Sequence, residues 1–275
     1  MSILFSDEYL TKLQNLAKDS AAEYKANKPF PHIFFDNFLP VEAAEAALRD
    51  FPQPKQLAWN AFAGQNEKKL AFDLVEKLPD SIRDVLYFLN SRPMVQFLEV
   101  LTGIEGVIPD PYYVGGGLHQ IERGGHLEVH ADFNHHKKLN LDRRLNVLVY
   151  MNKDWKEEYG GHFELWNRDM TAAEKKILPL FNRCAIFSTT DFSYHGHPTP
   201  LACPPDRSRK SMATYYYSNG RPEEEKSDSH STLFKARPGD VKAPEPTEPK
   251  SSAVKNVLRA ITPPIIVDTF KNMRK

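Results

Sequence analysis

The residues of this chain that could do chemistry gather between Leu118 and Tyr217: His130 and Asp132 one position apart, then His195 and His197, then Arg209 and Lys210. On an extended strand, side chains alternate faces, so His130 and Asp132 present an imidazole and a carboxylate to the same side. A third ligand from His195 or His197 would put two imidazoles and one carboxylate on one face of a divalent metal. Such a set suits non-haem iron(II) and leaves the opposite positions open. Alternation alone does not separate His195 from His197, which share a face in an extended segment. His126 and Glu128 fall on the same alternating face as His130 and form a rival pair. They do not spell the HExxH of zinc proteases, because Glu128 does not directly follow His126.

Rigid elements must hold these groups. After Pro109 the pattern becomes short apolar strands separated by glycines and polar turns, expected over 112–121, 126–132, 144–151, 162–166, 177–187 and 211–218. Many short strands at this spacing indicate a β-sandwich or barrel. Gly115, Gly116 and Gly117 would weaken a strand interior, so a bulge, bend or mobile loop is expected there. The polar stretch from Phe133 to Arg143, with Asn134, His135 and His136, reads as a loop able to gate a site.

Upstream, helical spacing and end signals predict helices over Asp7 to Ala26 (Ser6 as cap), Val41 to Phe51, Ser81 to Asn90 and Pro93 to Leu101, the last with Ser91 as cap and Gly103 as stop. A short apolar strand is expected between Pro31 and Pro40. Residues 52–79 follow no clear period.

The ordered set Gly124-Gly125-His126-Leu127-Glu128-Val129-His130-Ala131-Asp132, Arg144-Leu145-Asn146-Val147-Leu148-Val149-Tyr150-Met151-Asn152, Trp155, Gly160-Gly161-His162-Phe163-Glu164-Leu165, Phe187-Ser188-Thr189-Thr190, His195-Gly196-His197-Pro198 and Arg209 resembles the Fe(II)- and 2-oxoglutarate-dependent dioxygenases of the prolyl-4-hydroxylase-like superfamily. The resemblance runs from about Leu118 to Arg221. It implies a mainly β (α+β) fold, a double-stranded β-helix or jelly roll buttressed by N-terminal helices. It also implies iron held by His130, Asp132 and His195, with His195 preferred over His197 because the strand ending at Phe187 and the turn to Phe192 match the family better there.

By the same resemblance, Arg209 binds the far carboxylate of 2-oxoglutarate, with Lys210 as the competing cation, and Tyr150 and Gln120 are further cosubstrate contacts. An Arg suits that task because its planar fork pairs a carboxylate bidentately. The activity implied is hydroxylation of an unactivated C–H bond on a protein side chain or small metabolite, with O2 consumed, succinate and CO2 released, and ascorbate as reductant. A cupin-like metalloenzyme without a 2-oxo acid and a non-catalytic 2-oxoglutarate- or metal-binding sensor are the alternatives.

The 275 residues carry 36 basic and 36 acidic side chains, which leaves no electrostatic footprint for nucleic acid. The two cysteines, Cys184 and Cys203, are too few for a disulfide framework. Cys184 is expected buried on its strand and Cys203 more exposed. No basic leader and no long apolar run occurs, so a cytoplasmic protein without a transmembrane segment is expected.

The expected organisation is a helical and strand support over 1–108, the jelly roll over 109–221, and a linker with an amphipathic tail over 222–275. That tail could touch a membrane surface, pack on its own domain, or join a homodimer.

Overall fold

The computed structural model describes residues 2–238 and 240; the tail from 241 onward lies outside them. Helix α1 (Asp7–Ala26) starts where the Ser6 hydroxyl accepts from the Tyr9 amide at 3.4 Å. Strand β1 (His32–Phe35) follows, then α2 (Val41–Arg49), β2 (Asn60–Ala63), β3 (Glu67–Phe72), α3 (Asp80–Leu89) and α4 (Arg92–Thr102), which stops at left-handed Gly103. Ser91 stands at the N-cap of α4 but makes no capping bond.

The remaining strands are β4 (Ile108–Pro109), β5 (Gly117–Glu122), β6 (His126–Ala131), β7 (His135–His136), β8 (Leu141–Tyr150), β9 (Phe163–Trp166), β10 (Ala173–Ile177), β11 (Arg183–Ser188), β12 (His195–His197), β13 (Ser208–Ser218) and β14 (Leu233–Phe234). All pairings are antiparallel, in the order β1-β11-β8-β13-β5-β3-β6-β12-β9-β10. Strand β3 pairs β5 through Leu70–Phe72 and β6 through Glu67 and Lys68, so it carries the sheet from one half of the roll to the other. This is the jelly roll with its N-terminal helical buttress.

The alternation of β8 explains the layering. Leu145, Val147 and Val149 face outward into one core with Ile82, Leu86, Phe97 and Leu101 of the helices. Leu148 and Tyr150 face inward with Phe163, Leu165 and Phe187. Each fully buried side chain of this size contributes about 1.5–3 kcal/mol by leaving water. Two hydroxyls tie α3 to the barrel: Tyr216 donates to the Leu89 carbonyl at 2.6 Å and Tyr113 to that of Leu86 at 3.0 Å.

Several expectations shift. The stretch 177–187 is two strands, because Pro179 cannot donate to a ladder and Asn182 turns the chain at φ 57°. The strand expected from 112 begins only at Gly117, after a turn. Gly117 has φ +82°, and a Cβ there would collide with the Phe72 carbonyl, so only glycine fits. Residues 52–79 include the β2–β3 hairpin.

The stretch 133–143 is not a free loop: β7 pairs β8, His136 is buried, and the Asn134 side chain donates to Ser227 Oγ and the Asp228 carbonyl, both at 2.9 Å. Cys203 is buried rather than exposed, packed with Ile121, Trp155 and Leu201. The chain beyond Arg221 also returns to the barrel, since β14 pairs β6 and the compact unit extends to Pro238.

Candidate metal centre

Strands β6 and β12 lie side by side with His195 opposite His130. The register then slips, so that His197 faces Leu127 instead of keeping step. This bulge makes room for one extra residue in β6 and reverses its parity. Leu127 therefore lines the same cavity as His130 and Asp132. His126 and Glu128 are carried out of it, His126 to the Gln65 carbonyl at 3.1 Å and Glu128 toward Arg237 at 3.4 Å. The rival pair expected from strict alternation is thus dismantled. Gly196 allows the close approach, as a Cβ there would sit 2.8 Å from the Leu127 oxygen and 3.0 Å from that of Glu128.

His130, Asp132 and His195 converge, with one donor atom from each within 4.8 Å of the others. His130 Nε2 stands 3.5 Å from Asp132 Oδ1, and His195 Nε2 3.5 Å from Oδ2. Each ring's Nδ1 meets a backbone carbonyl at 2.8 Å, Glu128 for His130 and Ser193 for His195. A carbonyl only accepts, so Nδ1 carries a proton, and Nε2 is the nitrogen each ring turns toward Asp132 and could offer a metal.

Burial pushes His195 down to about 4, which leaves it neutral and available. Burial would raise the Asp132 carboxyl, but Arg143, His195 and His130 outweigh it and hold the group well below its ordinary value, hence ionised. The donor set fits iron(II). His197 is outside this group. It is buried, lines the same cavity, and neither ring nitrogen has a partner among the described residues.

Arg209 enters the cavity from β13 and is 5% exposed. Its Nε donates to the Gly161 carbonyl at 2.8 Å and its Nη2 to the Tyr150 hydroxyl at 3.3 Å. This holds a guanidinium fork in a pocket too buried for water to satisfy it, which fits an anionic oxygen ligand such as the far carboxylate of 2-oxoglutarate. Alternation carries Lys210 outward: it is absent from the cavity lining.

Gln120 is also one residue off. On β5 it is His119 and Ile121 that line the cavity, while Gln120 turns away and donates to Ser208 Oγ at 2.8 Å. Tyr150 reaches the site through Arg209.

Sequence reasoning missed three contributors to this cavity of about 250 Å³. Asn146 Nδ2 donates to Asp132 Oδ2 at 2.7 Å, and Arg143 Nη2 pairs with the same oxygen at 3.1 Å. Phe234 of β14 packs its ring 5.5 Å from that of His130. An arginine buried to 1% exposure is the kind of signal that marks a site, but nothing in the local pattern places Arg143 inside.

Residues 116–217 match the sequence profile described as the 2OG-Fe(II) oxygenase superfamily. Among solved structures, the chain is similar to a prolyl-4-hydroxylase from Pseudomonas putida, with TM-score 0.55 and 13% identity over 74% of this chain and 100% of that one. It is also similar to a prolyl hydroxylase from Trichoplax adhaerens in complex with a hypoxia inducible factor peptide fragment (TM-score 0.52, 17% identity, 78% and 94% covered). A third is SnoK, a non-heme alpha ketoglutarate dependent carbocyclase from nogalamycin biosynthesis (TM-score 0.51, 13% identity, 75% and 85% covered). At these identities the likeness is one of fold. No curated protein matches the chain.

Proposed function

We propose that the chain, whose residues 116–217 match the 2OG-Fe(II) oxygenase superfamily, is a 2-oxoglutarate-dependent dioxygenase that hydroxylates an unactivated C–H bond of a protein side chain or small metabolite, releasing succinate and CO2. The observation that carries this reading is one cavity holding both the His130, Asp132 and His195 cluster and the buried Arg209. The peptide complex of the Trichoplax neighbour supports a peptidyl side chain as the first substrate class to test.

In this reading His130 and His195 hold iron(II) through Nε2, their rings oriented by the Nδ1 bonds to Glu128 and Ser193. Asp132, kept ionised, supplies the third ligand. Arg209, steadied by the Tyr150 hydroxyl that accepts from its Nη2, holds the far carboxylate of the cosubstrate. Leu127, Leu148 and Phe163 line the cavity and exclude water from the reacting atoms. Iron(II) and 2-oxoglutarate, once bound, supply the oxidising chemistry at the cost of one O2, with ascorbate to reduce iron left oxidised off the cycle.

The test is anaerobic titration of iron(II) and then 2-oxoglutarate, followed by a succinate-release screen against peptide and metabolite pools. Binding of both with stimulated succinate release in at least one pool is expected. A protein that binds iron without responding to 2-oxoglutarate would sink the proposal.

A further inference from the structure

Gln120 turns away to Ser208, and the Tyr150 hydroxyl accepts from Arg209. The cavity holds another polar group that neither the metal cluster nor Arg209 engages. His197 is 4% exposed and lines the cavity, and neither its Nδ1 nor its Nε2 has a partner among the described residues. The other nitrogen-bearing side chains of the lining are held. Lys69 pairs with Glu67 at 2.9 Å, and His119 Nε2 meets the Gly115 carbonyl at 3.0 Å. Arg143 donates to Asn146 at 3.0 Å, and the rings of His130 and His195 meet backbone carbonyls. A buried polar group without a partner is costly, so an orphan aimed into a cavity points to a ligand.

The position of the ring indicates which part of a ligand it meets. Strand β12 runs antiparallel to β9, with His195 beside Leu165 and Gly196 beside Glu164. The next step along β12 therefore leads toward the start of β9 and Gly161, whose carbonyl holds Arg209 Nε at 2.8 Å. Arg209 is also the charge that acts most strongly on the His197 ring, lowering its pKa further after burial has done so. Two residues of a strand span about 6–7 Å, a length comparable to the reach of a five-carbon 2-oxo diacid from its chelating end to its far carboxylate. Ile121, Leu127 and Phe163 of the lining are apolar and offer a carboxylate nothing. An imidazole carries at least one N–H in either protonation state, and a carboxylate has more lone pairs than one guanidinium fills.

We propose that His197 is a cosubstrate-binding residue, one ring N–H donating to the far carboxylate of the 2-oxo acid at a lone pair that Arg209 leaves free. Arg209 supplies the charge and His197 a second direction, so together they favour a 2-oxo diacid over a 2-oxo monoacid. The inference rests on the 2-oxoglutarate reading above and adds a residue to it.

The test uses the full chain loaded with iron(II) under anaerobic conditions. Two ligands are titrated: 2-oxoglutarate, and 2-oxopentanoate, which has the same five carbons without the far carboxylate. Affinities are compared for wild type, for His197→Leu, which removes both nitrogens, and for His197→Gln, which keeps an N–H donor. Melting of the metal-free proteins and iron(II) affinity are the controls. His197→Leu is expected to weaken 2-oxoglutarate about 10–100-fold, the range for a hydrogen bond to a charged group, while iron(II) and 2-oxopentanoate bind as they do to wild type. His197→Gln should recover most of the loss.

Unchanged 2-oxoglutarate affinity in His197→Leu, or an equal loss for both ligands, would overturn the proposal, the second result marking His197 as packing alone. If His197→Leu does not fold or does not hold iron(II), His197→Met decides by the same comparison. A wild-type protein that fails to bind 2-oxoglutarate would instead sink the dioxygenase reading, so the two failures are distinguishable.

Discussion

Replacing Arg209 tests the cosubstrate pocket most directly. Its Nε and Nη2 are engaged by the Gly161 carbonyl and the Tyr150 hydroxyl, and the guanidinium carbon stands 4.9 Å from the Tyr150 ring centroid. The arginine is therefore held in place before any ligand arrives, and its further donors can meet a carboxylate without reorganisation. A hydrogen bond to a charged group is worth about 1.5–3 kcal/mol, and each 1.36 kcal/mol is about tenfold in affinity.

Arg209→Met, which keeps the aliphatic stem against its neighbours, should thus weaken 2-oxoglutarate by roughly 10- to 150-fold while iron(II) affinity stays within about twofold. The orphaned Gly161 carbonyl should also lower stability by about 1–3 kcal/mol. The assay is anaerobic titration of 2-oxoglutarate into the iron(II) protein, followed by visible charge-transfer absorbance, with Lys210→Met as the control. Because Lys210 points out of the cavity, that control should bind like wild type. Near-normal 2-oxoglutarate binding by Arg209→Met, or a larger loss in Lys210→Met, would refute the assignment.

Other outcomes follow from the same geometry. His195→Ala should abolish turnover and nearly abolish iron(II) binding, whereas His197→Ala, outside the cluster, should keep measurable iron and measurable 2-oxoglutarate decarboxylation; metal analysis with succinate release separates them. A chain ending at Pro238 should bind iron and 2-oxoglutarate like the full protein. One ending at Arg221 loses β14, the partners of Asn134 and the Phe234 ring over His130, and at about 1 kcal/mol per lost hydrogen bond should melt at least about 5 °C lower; equal melting temperatures would show that the segment merely rests there.

Acid stability gives a fourth outcome. His32, His195 and His197 are all lowered from 6.5 in the folded protein, chiefly by burial, His195 to about 4. They gain protons on unfolding, so their stabilisation is complete above pH 6.5 and is lost as pH falls, for His195 at up to about 1.4 kcal/mol per pH unit until about pH 4. Denaturant unfolding of the metal-free protein should show this slope, with His32→Gln flattening it; a level profile between pH 6.5 and 4 would contradict it.

Local spacing was enough for part of this protein. The helical periods of α1 to α4, the stop at Gly103, the alternation of the strand cores and the placing of His130 and Asp132 on one face are short-range properties, decided within a few residues by backbone geometry. The ordered motif then implied the family and its ligand types. What local pattern could not carry was parity across an irregularity.

The bulge opposite Gly196 carries His126 and Glu128 out of the site and Leu127 into it. A second register shift pairs Tyr216 with Leu145 but Tyr217 with Arg143, so Arg143 and Asn146, an odd and an even residue of β8, reach the same carboxylate. The return of β14 to the edge of β6 was equally hidden, since its composition reads as linker and its stability comes from a distant strand. Side-chain direction in a strand has period two, so one inserted residue reverses it, and whether a bulge forms is settled by the strands packed alongside. The residue types of this site were therefore legible in the chain, while the set that meets at Asp132 was decided by tertiary structure.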